Sequence, residues 1–212
     1  MTTLYSDGFW ISPYVFNCFV ALREKEIPFD VKELRLDAAE QRQGSYTQES
    51  WTGRVPSLVH DGFWLTESIA ILEYLDDSFP HTTPLLPKSL QDRARARQLL
   101  AWLRSDETLP VRSERSSEGI FYDRPRPVLT EKATSTAEKV VELASRFVKN
   151  DVGPMFGTWC IADADLAFFL HRLWHDDVLT TGLRAYAEAQ WKRPSIAEWV
   201  AHERRPYVSY AW

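Results

Sequence analysis

Cysteine is scarce in this chain, which has two, Cys18 and Cys160, among its 212 residues. They stand far apart without metal-ligand spacing, so the sequence predicts no metal site, and so small a number is typical of a reducing compartment. We interpret Cys18 as a small buried hydrophobic side chain, because it lies well inside a predicted helix. It is therefore away from the N-terminal turn that lowers a thiol pKa. Cys160 is interpreted in the same way.

An excess of positive charge is also missing. The formal net charge is -5 and the sequence pI is about 5.6, whereas nonspecific nucleic-acid binding needs a basic surface. Arginines cluster only locally, at Arg93, Arg95 and Arg97. Such a cluster indicates a solvated helix face or a subunit contact. We therefore expect no nucleic-acid partner.

Long apolar runs and targeting signals are absent too. No apolar run approaches the roughly 20 residues of a membrane helix. The first residues lack the basic and apolar regions of a signal peptide. We expect a soluble cytoplasmic protein with no membrane partner.

Hydrophobic residues, in contrast, are plentiful. They make up 44% of the chain and include nine tryptophans, which supports a buried core and excludes a disordered chain. The length suits two small domains or one large one.

The first 80 residues alternate between strand and helix patterns. A β-prone run at 2–6 is followed by Ser12-Pro13, typical of a helix N-cap and first helical residue, and this helix should end near residues 25–26. A second strand is predicted over 27–31 and a loop or weak helix over 35–53. A strand opening at Pro56, a hairpin at Asp61-Gly62 and a helix opening at Glu67 follow. The order β-α-β-(loop or helix)-β-β-α predicts an α/β thioredoxin-like domain.

The rest of the chain shows helix patterns only. A proline-rich linker is predicted over 81–88 and an all-α domain over 89–212. Its helices should span 91–108, ended or kinked by Pro110, then 130–148, 161–174, 183–191 and 195–204. A loop is expected over 116–129.

Ser12 is the first candidate for chemistry. Its hydroxyl stands at the positive end of a helix, where it caps the helix, stabilises an anion, or does both. One hydrogen bond to a charged group contributes about 1.5–3 kcal/mol and a helix terminus about 0.3–1. Together they would lower the pKa of a bound thiol by roughly one to three units. We interpret Ser12 as a thiolate stabiliser and not as a nucleophile.

Glu67, Ser68 and Val55 suggest a receptor for a small peptide. Ser68 could receive a carboxylate through its hydroxyl and N–H, while Glu67 accepts an ammonium group. The backbone of Val55, beside Pro56, could pair with an extended peptide as an added strand does. These groups together indicate a site for a γ-glutamyl thiol peptide.

The combination resembles the glutathione S-transferase family, and within it the YfcF-type bacterial branch. The resemblance covers nearly the whole chain and is carried by five runs: Ser12-Pro13-Tyr14, Ile27-Pro28-Phe29, Gly53-Arg54-Val55-Pro56, Glu67-Ser68-Ile69 and Cys160-Ile161-Ala162-Asp163. It implies a thioredoxin-like domain plus a helical domain, usually as a homodimer, with glutathione as co-substrate.

The resemblance also implies roles for individual residues. Ser12 matches the activating serine, and Val55 matches the residue whose backbone pairs with the cysteinyl part of glutathione. Pro56 matches the family's cis-proline, and Glu67 and Ser68 match the γ-glutamyl binders. Gln41 and Arg54 lie where members of the family often reach the glycyl carboxylate of glutathione.

The resemblance predicts a transferase that delivers the thiolate to an apolar electrophile or to an organic hydroperoxide. The second substrate should lie between the domains, near Trp10, Tyr14 and Trp102. The alternative is a non-catalytic binding or regulatory module of the same fold. A thiol-disulfide or dehydroascorbate reductase is disfavoured, since that chemistry needs cysteine at position 12. Cys160 replaces the usual Ser or Thr cap, so we expect Asp163 to lose its capping-box partner.

Overall fold

The computed structural model describes residues 1–149 and 152–210, and the chain divides into two compact units. The first comprises Met1–Leu85 together with the chain from Glu198 onward, and the second comprises Leu86–Ala197. The chain from Glu198 onward therefore belongs to the same compact unit as the predicted thioredoxin-like region.

The first unit is built on a mixed sheet whose described strands run in the order β2-β1-β3-β4. β1 and β2 are parallel, whereas β3 is antiparallel to both β1 and β4. The strands are β1 (Thr2–Asp7), β2 (Asp30–Leu34), β3 (Ser57–His60) and β4 (Phe63–Thr66), and the helices are α1 (Pro13–Glu24), α2 (Tyr46–Glu49) and α3 (Ser68–Ser78). Short 3-10 turns lie at Leu36–Ala38 and Glu40–Arg42. This topology confirms the predicted thioredoxin-like fold.

The second strand begins three residues later than its apolar alternation predicts. At the end of α1, Glu26 adopts a left-handed φ of 54°, and the N–H of Ile27 donates to the carbonyl of Leu22 at 3.0 Å. Ile27 is therefore part of the helix C-terminal cap. Pro28 has no N–H to give to a ladder, so the strand starts only at Asp30.

The second unit contains helices and no strand among its described residues. The helices are α4 (Leu90–Leu103), α5 (Leu109–Glu114), α6 (Glu118–Phe121), α7 (Glu131–Phe147), α8 (Ile161–Arg172) and α9 (Thr181–Trp191), and α10 (Pro194–Val200) runs across the boundary at residues 197–198. No helix in the described ranges is long and apolar enough to cross a membrane.

Two local expectations about the helical unit are wrong. Pro110 stands in the first turn of α5, where a missing N–H costs nothing, so it begins a helix instead of ending one. The stretch 116–129, expected to be a loop, contains α6.

Asp163 keeps its capping-box partner, contrary to the expectation from Cys160. The N–H of Cys160 donates to Asp163 Oδ2 at 2.9 Å, and the Cys160 sulfur faces the N–H of Asp163 in a capping box. The reason is that the carboxylate half of the box uses the backbone N–H of the cap residue, which every residue except proline provides.

A half-buried histidine in α8 gives the second unit a predictable pH response. The ring of His171 lies 4.7 Å from the Trp174 ring and 3.7 Å from the Trp191 ring. Its burial lowers the pKa of His171 to about 4, although a hydrogen bond to the backbone of Ala187 opposes the shift.

The unfolded chain, with a histidine pKa of about 6.5, binds more protons than the folded chain between pH 6.5 and 4. Stability should therefore fall as the pH falls through this window, by about 2 kcal/mol between pH 7 and pH 5 from this group alone. Urea unfolding of the wild type and of His171→Phe at the two pH values measures the contribution. An equal pH dependence in both proteins would contradict the assignment.

Candidate active site

Three segments meet at one edge of the sheet, the edge at which β1 and β4 end and β3 begins. Tyr5 of β1 pairs with Ser57 of β3 in antiparallel register, so the chain leaving β1 runs beside the residues that precede β3. Ser57 also pairs with Thr66, the last residue of β4. The start of α1, the Val55-Pro56 turn and the start of α3 are thereby brought to the same edge, although they are dispersed over more than fifty residues of sequence.

The buried carboxylate of Asp7 anchors Ser12 at this edge. Asp7 Oδ2 accepts from the N–H of Ile11 at 2.9 Å and Oδ1 accepts from the N–H of Ser12 at 3.2 Å. Asp7 is fully buried, and this desolvation raises its pKa even though the backbone hydrogen bonds oppose the rise. The sequence patterns did not indicate this role for Asp7, which follows the β-prone run at 2–6.

The hydroxyl of Ser12 caps α1 and still has a proton to donate. Its Oγ accepts from the N–H of Val15 at 3.3 Å, and Pro13 opens the helix. A serine hydroxyl has two acceptor lone pairs and one donor O–H. Because the cap uses only an acceptor, the two interpretations of Ser12, helix cap and thiolate stabiliser, are compatible.

The backbone at Val55 is held on both sides but is not itself paired. The Val55–Pro56 peptide bond is cis, as the resemblance implies. The Tyr46 hydroxyl donates to the carbonyl of Arg54 at 2.6 Å and lies 2.7 Å from Ser57 Oγ. No described residue hydrogen-bonds to the N–H or C=O of Val55. A half-buried residue with its backbone fixed and unpaired is suited to pairing with a short peptide.

The N-terminus of α3 offers hydrogen-bond donors to an anion. Glu67 occupies the N-cap position without making a side-chain cap, and the first turn holds no acidic residue. Ser68 is buried, and no described residue bonds to its hydroxyl. The first N–H groups of a helix have no partner within it, so a carboxylate placed here would gain both the hydroxyl and the positive helix end.

Glu67 has an unfavourable backbone conformation, with φ 69° and ψ 112°. Strained backbones of this kind cost about 1–3 kcal/mol and concentrate at functional sites. We expect Glu67→Gly to be more stable than Glu67→Ala by about 1 kcal/mol, since only glycine adopts positive φ freely. On the expectation that Glu67 accepts the ammonium group of glutathione, both variants should bind glutathione more weakly than the wild type.

Chemical denaturation with and without glutathione measures the two effects. An alanine variant as stable as the glycine variant would show that the backbone is not strained.

The residues proposed for the glycyl carboxylate lie in neighbouring loops. Gln41 is buried in the second 3-10 turn, and its Oε1 has no hydrogen-bond partner among the described atoms. The Gln41 carbonyl lies 3.8 Å from where a Cβ of Gly53 would be. Arg54, the next residue, is exposed. The two side chains are thus carried by adjoining stretches of the first unit.

The residues proposed for the second substrate have separate environments. Trp10 is 6% exposed, and its Nε1 donates to Glu33 at 2.6 Å. Tyr14 is half-buried in the first turn of α1. Trp102 is half-buried on α4 in the second unit, where its Nε1 donates to Glu107 at 2.5 Å. The assignment of these residues to one pocket stays a prediction.

Neither cysteine is suited to be a nucleophile. Both are completely buried, and burial raises the pKa of the Cys160 thiol far above its ordinary value. Within residues 1–149 and 152–210, no group of three His, Cys, Asp or Glu side chains is placed to hold a metal ion.

Family models match both parts of the chain. The model described as glutathione S-transferase, N-terminal domain, matches residues 2–77, and the model described as glutathione S-transferase, C-terminal domain, matches residues 89–205.

Curated relatives match over shorter lengths. The maleylacetoacetate isomerase of Dictyostelium discoideum is 36% identical over 107 residues, which are 50% of this chain and 48% of that protein. A probable glutathione S-transferase of Oryza sativa subsp. japonica is 37% identical over 79 residues, 37% of this chain and 33% of that protein. The chain thus spans half or less of these relatives.

Solved structures match over almost the whole chain. A glutathione transferase homologue from Burkholderia gl BGR1, with bound glutathione, is 37% identical with a TM-score of 0.78, covering 94% of this chain and 96% of that chain. Glutathione transferase Omega 3C from Trametes versicolor, 22% identical, covers 97% of this chain and 90% of that chain with a TM-score of 0.71 and supports the fold alone. Placement in the YfcF-type branch stays a prediction. The two family models and the similarity to the Burkholderia structure show that this chain belongs to the glutathione S-transferase family.

Proposed function

We propose that this protein is a glutathione S-transferase that binds glutathione at the sheet edge of its first unit. The observation that carries the proposal is the strand register, which gathers the Ser12 hydroxyl, the unpaired Val55 backbone and the uncapped N-terminus of α3. The glutathione bound in the similar Burkholderia structure supports the same ligand.

Each part of glutathione has a matching group at this edge. Ser68 and the first turn of α3 receive the γ-glutamyl carboxylate, and the exposed carboxylate of Glu67 receives the ammonium group. The Val55 N–H and C=O pair with the cysteinyl backbone. Arg54 and Gln41 serve the glycyl carboxylate, which is the less constrained end of the peptide.

Ser12 stabilises the thiolate by donating its hydroxyl proton as a hydrogen bond to the sulfur. The thiolate sulfur then forms a bond to an electrophilic carbon, and the leaving group departs with its bonding electrons. Organic hydroperoxides are a second class of acceptor, for which a second glutathione completes the reduction to alcohol, water and glutathione disulfide. The apolar substrate contacts Trp10 and Tyr14 of the first unit. A cytoplasmic homodimer, the common form of the family, belongs to the same proposal.

Isomerisation is a second candidate activity, because three of the curated relatives are named maleylacetoacetate isomerase or probable maleylacetoacetate isomerase. The two activities differ in what happens to glutathione. An isomerase returns it unchanged, whereas a transferase consumes one molecule for each product. Counting free thiols during turnover of a cis-alkene diketone acid and of an aryl halide separates the two.

Calorimetric titration tests the binding half of the proposal. Glutathione and ophthalmate, which has a methyl group in place of the thiol, should both bind, because the peptide contacts are the same. At neutral pH only glutathione should release a proton on binding, measured from the dependence of the heat on the buffer. Failure of both ligands to bind would contradict the proposed binding site. Binding of glutathione without proton release would mean that the protein is a module that binds glutathione without activating its thiol.

A further inference from the structure

The chain beyond α10 packs on the loop that carries Ser12. We call residues 201–210 the C-terminal segment and residues 8–12 the β1–α1 loop. Arg205 contacts the loop in two ways: its Nε donates to the carbonyl of Gly8 at 3.0 Å, and its guanidinium lies 3.9 Å from the centroid of the Phe9 ring. Its Nη2 also donates to Asp37 Oδ1 at 2.6 Å. Arg205 thus ties the loop to the chain that follows β2.

Arg204 contacts the same loop two residues after Gly8, at Trp10. Its Nε donates to the carbonyl of Trp10 at 3.2 Å. Its two terminal nitrogens donate to the carbonyls of Trp199 and Val200 at 2.8 and 2.9 Å, at the end of α10. The loop backbone is therefore hydrogen-bonded to two consecutive arginines of the C-terminal segment.

Trp10 explains why such restraint is needed. Its φ of 54° is left-handed, which is an unfavourable conformation for a bulky residue. Backbones of this kind persist only where the surroundings over-determine them. Here the Trp10 ring stacks on His202 with centroids 3.5 Å apart and lies 4.8 Å from the Trp199 ring. The carbonyl of Trp10, two residues before Ser12 in the chain, accepts a hydrogen bond from Arg204.

We propose that Arg204 and Arg205 are positioning residues for Ser12, and that the C-terminal segment holds the β1–α1 loop where the Ser12 hydroxyl meets the glutathione sulfur. The inference rests on the proposed function of Ser12. Neither arginine needs to touch glutathione, because both act through backbone carbonyls of the loop. Asp7 restrains the same loop from the sheet, by accepting the N–H groups of Ile11 and Ser12.

The pKa of the bound glutathione thiol, followed by thiolate absorbance, tests this role. In Arg205→Ala we expect the pKa to rise by about 0.5–1 unit, a fraction of the rise in Ser12→Ala, because the hydroxyl is displaced and not removed. In the Ser12→Ala background, Arg205→Ala should add no further rise, since interacting residues are non-additive. Arg205→Lys keeps the charge without the planar fork, and should give a smaller rise that also vanishes in the Ser12→Ala background.

Arg23→Ala is the matched control. Arg23 bonds Glu198 of α10 at 2.7 Å, and its guanidinium lies 4.6 Å from the Phe29 ring centroid. It therefore makes an ion pair and a ring contact within the same unit without touching the loop. Its loss should leave the pKa of the bound thiol unchanged.

Hydrogen exchange at the N–H groups of Ile11 and Ser12 gives a readout that does not depend on catalysis. Loosening of the loop in Arg205→Ala should speed exchange at both by about tenfold or more, whereas Arg23→Ala should not.

The outcomes separate the two proposals. No change in thiol pKa in Ser12→Ala overturns the proposed function. The positioning role is overturned if Ser12→Ala raises the pKa of the bound thiol as expected while Arg205→Ala neither raises that pKa nor speeds hydrogen exchange. It is also overturned if Arg205→Ala raises the thiol pKa by the same amount in the wild-type and Ser12→Ala backgrounds. Should Arg205→Ala fail to fold, Arg205→Lys decides by the same criteria.

Discussion

Replacing Ser12 by alanine is expected to lower kcat/KM for glutathione conjugation about 10- to 150-fold, the factor for losing one hydrogen bond to a charged group. The same substitution removes the cap that accepts from Val15 and should cost about 1 kcal/mol of stability. Steady-state kinetics with an aryl halide, together with urea unfolding, measure both effects.

Two variants separate the lost cap from the lost donor. Ser89 caps α4 by accepting from the N–H of Asp92, so Ser89→Ala should lose similar stability and keep full activity. Ser12→Thr retains a hydroxyl and should keep most of the activity. Activity lost equally in Ser89→Ala and Ser12→Ala would mean that stability, and not the hydroxyl, controls the rate.

Replacing Asp163 by alanine should produce the largest loss of stability, about 3–5 kcal/mol. The side chain is fully buried and accepts three hydrogen bonds: from the N–H of Met155 at 2.9 Å, the N–H of Cys160 at 2.9 Å and the hydroxyl of Tyr186 at 2.8 Å. Alanine leaves all three donors buried without an acceptor, and each costs about 1–3 kcal/mol. Urea unfolding of the purified variant measures the loss.

An ordinary helix cap in the same unit provides the comparison. Thr180 accepts from the N–H of Leu183 at 3.3 Å at the start of α9, so Thr180→Ala should cost only about 1 kcal/mol. Asp163→Asn retains one acceptor oxygen and should fall between the two. A loss in Asp163→Ala no larger than in Thr180→Ala would show that the three donors find other partners.

Local sequence patterns were sufficient for most of the fold. Ser12-Pro13 marks the start of α1 because cap and first-turn chemistry involve neighbouring residues. The same holds for the hairpin at Asp61-Gly62 and for the helix predicted over 130–148, which begins after its cap residue Thr130. The start of β2 was misplaced because Ile27 completes the cap of the preceding helix, a backbone bond that apolar alternation does not reveal.

The residues proposed to face the ligand could be named from the sequence, whereas the residues that support them could not. Ser12, Val55 and Glu67 stand in recognisable runs, whereas Asp7 acts through a tight loop whose shape depends on the whole unit. Arg205 bonds to Gly8 across 197 residues of sequence. Contacts at such separation have no local signature, so only the folded chain shows them.

The pKa of glutathione's thiol in its complex with the protein tests the central claim most directly. A free thiol titrates near 8.5, and a donor at Ser12 together with the end of α1 should lower the bound value by roughly one to three units. Ser12→Gly, which costs the cap only a few tenths of a kcal/mol, should return the pKa most of the way to that of free glutathione. A bound thiol in the wild type that titrates like the free one, or a wild-type shift that persists in Ser12→Gly, would contradict the account.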